Sequence, residues 1–548
     1  MNEKYSESTM HNFVDCKTRY DVIIAGGGHN GLIAANYLAM AGLEVIVVEK
    51  KEELGGASVS TRIFPDFDAR ISRYAYLISL LPNQILDDLQ INFKTLRRRN
   101  ASFTPYLDRQ GYQSGLLLSN EDSNVSYRSF IDRTGSQSEW GRLQKFYELQ
   151  RAIAGVVWPT LTEPLASRES FLQRLIHSDQ RQAWDWFVDR PIGETIEHFI
   201  DDDLIRGLVM TDAKIGVFTH PHDESLIQNR CFLYHIIGRG TGEWQVPVGG
   251  MGGLIAGLTQ NALNRRVTLL TNAQVTNIIP GNPCHSVQIR SDDQEITIDA
   301  QRVVINASPK RAAAMLNRAW HPIASDEGSV VKINMLLERL PKLKAASVSN
   351  VDAFAGSLHI NEGYQQMIDS FAAAQSGIVP KPAPCEVYCH TLTDPSILSE
   401  SLQSRGFHTM TLFGLDAPYR LFTENNEACK EAFLKSYFEG LDSICDESFA
   451  SCLARDSSGR PCIEVKSALD LEDELGLDQG NIFHNSLSWF FTDDSELAGT
   501  WGVETDIDRI YNCGSSAMRG GAVSGIPGHN AAKRIFEELG IEAKVTNR

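Results

Sequence analysis

No run of about 18 consecutive apolar residues occurs in the 548-residue chain, which excludes a membrane-spanning helix of ordinary length. Basic residues are in deficit. Lysine and arginine total 51 against 69 aspartates and glutamates, for a net charge of -18. Nucleic-acid binders normally carry a basic footprint, so that class is excluded, and the basic run Leu96 to Asn100 (LRRRN) reads as a solvated face. The ten cysteines contain no CxxC. Cys385 and Cys389 have CxxxC spacing without a second pair at zinc spacing, so no metal site is expected, and scattered thiols suit a reducing cytoplasm. GxSxG, HExxH and Walker A motifs are absent, leaving acyl transfer, zinc hydrolysis and ATP hydrolysis without support. Residues 1–18 lack an apolar signal core and read as a flexible tail.

What is present is the composition of a globular protein, with 42% hydrophobic and 22% charged residues. At roughly 100–200 residues per domain, the length suggests two to four lobes. Asp21 to Ala25 (DVIIA) is a β-branched run of the kind a buried parallel strand needs. It leads into Gly26-Gly27-Gly28-His29-Asn30-Gly31, which fits GxGxxG. Gly26 permits the tight turn, Gly28 the close approach of backbone to a pyrophosphate, and Gly31 close packing of helix on strand. A helix is expected from about Gly31 to Ala41, with phosphate favoured at its start. The second strand, EVIVVE, closes on Glu49, an acid placed to accept ribose hydroxyls and to repel a 2′-phosphate.

The choice between NAD and FAD rests on segments far from this motif. Gly55 and Gly56 follow Glu49 where a backbone could run past a flavin pyrophosphate. At the other end, Asp508 to Gly540 gives a strand (Arg509 to Cys513), a loop rich in glycine (Gly514, Gly520, Gly521, Gly525) and a helix from about Gly528 to Leu539. Both ends thus carry nucleotide-site chemistry, and one extended cofactor, FAD, uses both. Between them, Gln245 to Pro280 gives a turn, an amphipathic helix and two strands, and Asp299 to Pro309 gives another strand.

These segments, with LGGAS, PVGGMGGL, VVKINMLLERLP (Val330 to Pro341), GNIFHNSLS (Gly480 to Ser488) and CGSSAMRGGAVSGIPGHNAA, resemble the phytoene-desaturase-like FAD oxidoreductases. The similarity is to the branch named for pyridine nucleotide-disulfide oxidoreductase domain-containing protein 2, and it spans Tyr20 to Ala532. The resemblance implies one non-covalent FAD in a Rossmann-like α/β domain of the glutathione-reductase-like class, with a mixed-sheet and helical substrate domain. It implies hydride transfer from a hydrophobic or amphipathic substrate to flavin N5. It places Gly26, Gly28 and Gly31 at the pyrophosphate and Glu49 at the adenosine ribose, with Gly55 and Gly56 along the same groove. Val275 falls at the adenine, and Gly514, Gly525 and Ile526 at the flavin. The chain departs from related patterns at Ala57, where amine oxidases carry arginine, and at Met518-Arg519, where its kin are richer in glycine.

On this reading the FAD-binding domain takes residues 19–95, 245–325 and 500–548, and the substrate-binding domain 96–244 and 326–499. Phe171 to Phe218 has helical periodicity, with Trp184, Trp186 and Phe187 read as core more than pocket. The runs beginning at Ser329, Cys385 and Phe407 read as strands of a sheet that roofs the flavin. Ala372 to Glu386, with Pro380, Pro382 and Pro384, reads as a linker. Arg73 to Leu86 is apolar enough for core, or for peripheral contact with a membrane. His484 is the first candidate for a catalytic base, ahead of His220 and His222, and Arg519 is a candidate to stabilise negative charge on the reduced flavin. Two further readings stand beside the oxidoreductase: a flavin-dependent isomerase without net redox, and a lipid-binding escort like the Rab GDP-dissociation inhibitors, which resemble this fold. The sequence leaves open the electron acceptor (oxygen, a quinone or NAD(P)) and the oligomeric state.

Overall fold

The computed structural model describes residues 13, 16–521 and 523–541. Most of the tail at 1–18 lies outside them, as does residue 522 in the C-terminal glycine loop. Among the described residues two large sheets organise the chain. The first is seven-stranded and mixed. Arg19–Ala25 pairs in parallel with Val45–Val48 on one side and with Gln294–Ile305 on the other. Thr268–Leu270 extends the parallel part at one edge, and Ile510–Asn512 pairs in parallel with Gln294–Ile305. His285–Ser291 and Gln274–Ile279 continue the sheet as an antiparallel meander. The β-branched runs at its centre are buried on both faces, as a parallel sheet covered by helices requires.

The first helix spans His29–Met40, starting two residues before the sequence places it. Gly28 is already its extended N-cap, and the Leu32 amide reaches the Gly28 carbonyl at 3.0 Å. The last helix, Ile526–Leu539, likewise starts earlier than Gly528. Gly525 caps it at φ +73°, and Pro527, lacking an N–H, is accommodated in its first turn. The two helices touch closely. A β-carbon on Gly528 would stand 2.2 Å from the Asn30 carbonyl oxygen.

The second large sheet is eight-stranded. Its centre is the antiparallel set Gly328–Leu337, His408–Pro418, Cys385–Tyr388 and Ser357–Ile360. These strands are buried on both faces, yet the faces differ in chemistry. Val331, Ile333, Val387, Leu358, Ile360 and Leu412 belong to the larger apolar core. The alternate residues Lys332, Asn334, Glu386, Tyr388, Ser357 and His359 are buried polar groups on the other face. Helices cover Phe171–Phe218 as expected, and Trp184 and Phe187 are core. Ala372 to Glu386 is no boundary between domains: it is the end of the helix Tyr364–Gln375, a short loop, and the start of Cys385–Tyr388. Arg73 to Leu86 is interior, with Leu80, Leu81 and Ile85 in the cores. Among the described residues no helix is long and apolar enough to cross a membrane.

Candidate active site

The turn after the first strand is built around a side chain the sequence reading passed over. Asn306 follows the strand Gln294–Ile305, takes the Ala25 carbonyl with its amide, and donates Nδ2 to the Gly26 carbonyl at 3.1 Å. A β-carbon on Gly26 would fall 2.2 Å from the Asn306 carbonyl oxygen, and Gly26 sits at φ +112°, so no other residue fits this turn. One on Gly31 would fall 2.4 Å from the Gly26 carbonyl oxygen, which is the close helix–strand packing that its position demands. The second glycine pair lies against the first: Gly28 and Gly55 form a parallel bridge, and the Gly55 amide donates to Gly27 at 2.9 Å. Glu49 Oε2 accepts the Gly27 amide at 2.8 Å and Oε1 the Lys51 amide at 2.9 Å.

A cavity of about 450 Å³ is lined by Gly26, Gly28, Glu49, Gly55, Gly56, Val275 and His484. Gly31 stands behind it in the helix–strand contact. Gly514, Gly525 and Ile526 also stand behind its wall, which is formed there by Ser515 and Val523. Gly514 packs against the Ala307 carbonyl, and Gly525 against Ile33. The first helix has no side-chain N-cap, so the positive end of its dipole is left to the cavity beside Gly28 and His29. A dinucleotide fits this donor set: bare backbone at two facing glycine turns, a helix start for the pyrophosphate, and a carboxylate at Glu49 for the ribose.

Arg519 is not in this cavity. Its guanidinium donates to the carbonyls of Thr160 (3.0 Å), Glu163 (2.6 Å) and Trp501 (2.9 Å), and burial lowers its pKa to about 10, which keeps it a cation at neutral pH. Those three carbonyls occupy the charge that the sequence reading assigned to the flavin. His484 does line the cavity, at φ +70°, with Nδ1 buried and without a partner among the described residues. Burial pushes its pKa down to about 4, so the imidazole is neutral at pH 7. His220 and His222 lie elsewhere, His222 against Glu197 at 2.9 Å.

The polar face of the eight-stranded sheet supplies the rest of the wall. In register across it run Lys332, Phe413, Glu386 and His359, and beside them Asn334, Thr411, Tyr388 and Ser357. Lys332 donates to the carbonyls of Ser72 (3.0 Å) and Arg73 (2.6 Å) and to Asn334 Oδ1 (2.9 Å); burial draws its pKa down to about 7. Arg98 also departs from expectation. Instead of facing solvent with its basic neighbours, it is half-buried, lines the cavity and donates to Ser357 Oγ at 2.9 Å.

A sequence model of the FAD dependent oxidoreductase family matches residues 21–114. An uncharacterized protein of Mycobacterium tuberculosis (strain ATCC 25618 / H37Rv) is 40% identical over 532 residues, covering 96% of this chain and 98% of its own. Pyridine nucleotide-disulfide oxidoreductase domain-containing protein 2 of Mus musculus is 29% identical over 574 residues, covering 95% of this chain and 94% of its own. A carotenoid 3,4-desaturase of Haloarcula japonica is 26% identical over 316 residues, 52% of this chain and 55% of its own. Among solved structures, cyclohexylamine oxidase from Brevibacterium oxydans IH-35A superposes with a TM-score of 0.56 at 14% identity, covering 95% of this chain and 100% of that one, a likeness of fold. With the facing glycine turns and the Glu49 carboxylate beside them, these similarities mean that the chain is an FAD-dependent oxidoreductase.

Proposed function

We propose that this FAD-dependent enzyme removes a hydride from a carbon of a hydrophobic or amphipathic organic molecule. The observation that carries the reading is one cavity that joins the glycine cradle to a chamber walled by Tyr76, Trp244 and Phe483 and roofed by the polar sheet face. FAD, when bound, supplies two-electron acceptance at flavin N5. The chain supplies enclosure, which keeps water from the reacting carbon, and fixed polar groups that orient the substrate. The second glycine turn, with Gly55 bridging to Gly28, supports assignment to the glutathione-reductase-like class. His484 is a candidate base on the strength of its neutral imidazole and open Nδ1.

Anaerobic mixing of the FAD-loaded protein with a panel of apolar alcohols, aldehydes and polyenes tests the reading. Bleaching of the flavin band near ~450 nm by any member supports it. A protein that holds no FAD after reconstitution overturns it.

A further inference from the structure

The eight-stranded sheet turns a wall of unmatched hydrogen-bond acceptors into the chamber. Glu386 and Tyr388 are two apart on the strand Cys385–Tyr388 and so share the cavity face. The Tyr388 hydroxyl donates to Glu386 Oε2 and interacts with the Tyr76 hydroxyl beside it; a phenol oxygen can also accept. Glu386 Oε1 has no hydrogen bond among the described residues; its neighbour across the register, His359, is 3.8 Å away and bonded to Glu362 at 2.5 Å instead. Asp212, at the end of the helix Asp203–Thr211, also lines the cavity, and its carboxylate accepts no hydrogen bond among the described residues. Glu386 is buried and Asp212 half-buried, and a carboxylate turned from bulk water into a cavity is costly to leave without a donor.

The missing partner brings a donor, and the local charges say which kind. Arg98 and His359 stand near Asp212, His359 stands beside Glu362 and Glu386, and Lys332 lines the same cavity next to the Arg73–Glu464 pair, so each anionic group on this wall has a cationic neighbour. A cationic ligand would upset that balance, whereas a neutral donor keeps it. Burial also raises Glu386 to about 7 and Asp212 to about 6, which weakens their hold on a cation at neutral pH. Tyr76 packs at a tilt on Tyr388, with ring centroids 5.1 Å apart and planes at 52°, and adds an apolar flank.

We propose that Glu386, Tyr388 and Asp212 form the recognition site for a neutral hydroxyl group on the substrate, so that the substrate is a hydroxylated amphiphile and not a plain hydrocarbon. This rests on the function proposed above and deepens it. Glu386 and Tyr388 touch the hydroxyl.

The test uses FAD-loaded protein and three probes of one chain length: hexan-1-ol, 1-methoxyhexane and hexylamine. Binding is read by calorimetry and by the shift of the visible flavin band. Hexan-1-ol is expected to bind at least about 10-fold tighter than the methyl ether, which cannot donate. Glu386→Gln and Tyr388→Phe are expected to reduce that ratio below about 3-fold while unfolding midpoints stay close to wild type, a change in discrimination that a purely structural role would not produce. Equal binding of alcohol and ether, no binding of either, or a ratio that survives both substitutions would overturn the proposal. Tighter binding of hexylamine than of hexanol would overturn the choice of a neutral donor. Flavin content is measured first: its absence counts against the oxidoreductase reading, whereas the alcohol-to-ether ratio judges this wall alone.

Discussion

Glu49 Oε2 accepts the Gly27 amide at 2.8 Å, so the acid that ends the second strand is fastened to the glycine turn that ends the first. The bond holds the turn open and fixes where the remaining carboxylate lone pairs face the cavity. Glu49→Ala removes both the strut and the carboxylate proposed to accept the ribose hydroxyls. A hydrogen bond to a charged group contributes about 1.5–3 kcal/mol, so FAD affinity is expected to fall roughly 10- to 100-fold. Glu49→Gln keeps an acceptor and is expected to lose less. Fluorescence titration of the apoprotein with FAD measures both. Wild-type affinity in the alanine variant would remove Glu49 from the cofactor site.

Arg519 ties the segment Thr160–Glu163 to the Trp501 backbone and to its own loop. Arg519→Ala leaves three carbonyls without that donor and is expected to cost roughly 2–4 kcal/mol of stability. Lysine offers no planar fork and recovers only part of it. The measurement is the urea midpoint together with the flavin reduction potential. A lowered midpoint with an unmoved potential is expected; a shifted potential at unchanged stability would return Arg519 to the flavin.

The glycine-lined groove was legible in the sequence because its demands are local. A glycine turn, the helix after it and an acid closing the next strand sit within Tyr20 to Lys50, and each residue type has a steric or electrostatic reason there. Asn306 escaped notice because it reaches Gly26 from a strand far along the chain, and nothing in VVINASP marks one asparagine as a turn anchor. The chamber was legible in outline only. SVVKINMLL, CEVY and SLHI alternate polar and apolar residues, which reads equally as a solvated face. That the polar face is buried depends on what packs over it, and this is a tertiary fact. Arg98 shows the same limit in reverse: within LRRRN nothing distinguishes the one arginine that turns inward.

His484 combines a left-handed backbone, φ +70°, with an imidazole held neutral by burial. Asparagine tolerates that backbone and cannot act as a base. His484→Asn is therefore expected to fold with stability within about 1 kcal/mol of wild type and to slow flavin reduction by ~10²-fold or more. Stopped-flow reduction with whichever panel member bleaches the wild-type flavin reads the effect. Because the imidazole titrates near 4, it contributes no inflection to the wild-type pH profile between pH 6 and 8. Reduction at the wild-type rate in the asparagine variant would make His484 a structural residue of the turn.

Lys332 is 3% exposed, and its ammonium meets two carbonyls and one amide oxygen but no carboxylate at ion-pair distance among the described residues. Burial lowers its pKa from 10.5 to about 7, opposed by Glu464 and reinforced by Arg73. The unfolded chain holds this proton up to its ordinary pKa, whereas the folded protein releases it above about 7. Between those pH values the unfolded state binds more protons, so the contribution of Lys332 to unfolding free energy rises with pH. Below pH 7 both states are protonated and the fold carries the full cost of the buried cation; above pH 10.5 both are neutral and that cost is gone. Lys332→Met removes the titration and leaves the Ser72 and Arg73 carbonyls without their donor. Its stability should lie below wild type, and the gap should widen as pH rises from 7 to 9, by up to about 2–3 kcal/mol at 1.36 kcal/mol per unit. Urea unfolding of both proteins at pH 7, 8 and 9 measures the difference and cancels the titrations they share. A gap that stays constant would mean that Lys332 keeps its proton in the folded protein and serves the cavity as a fixed positive charge.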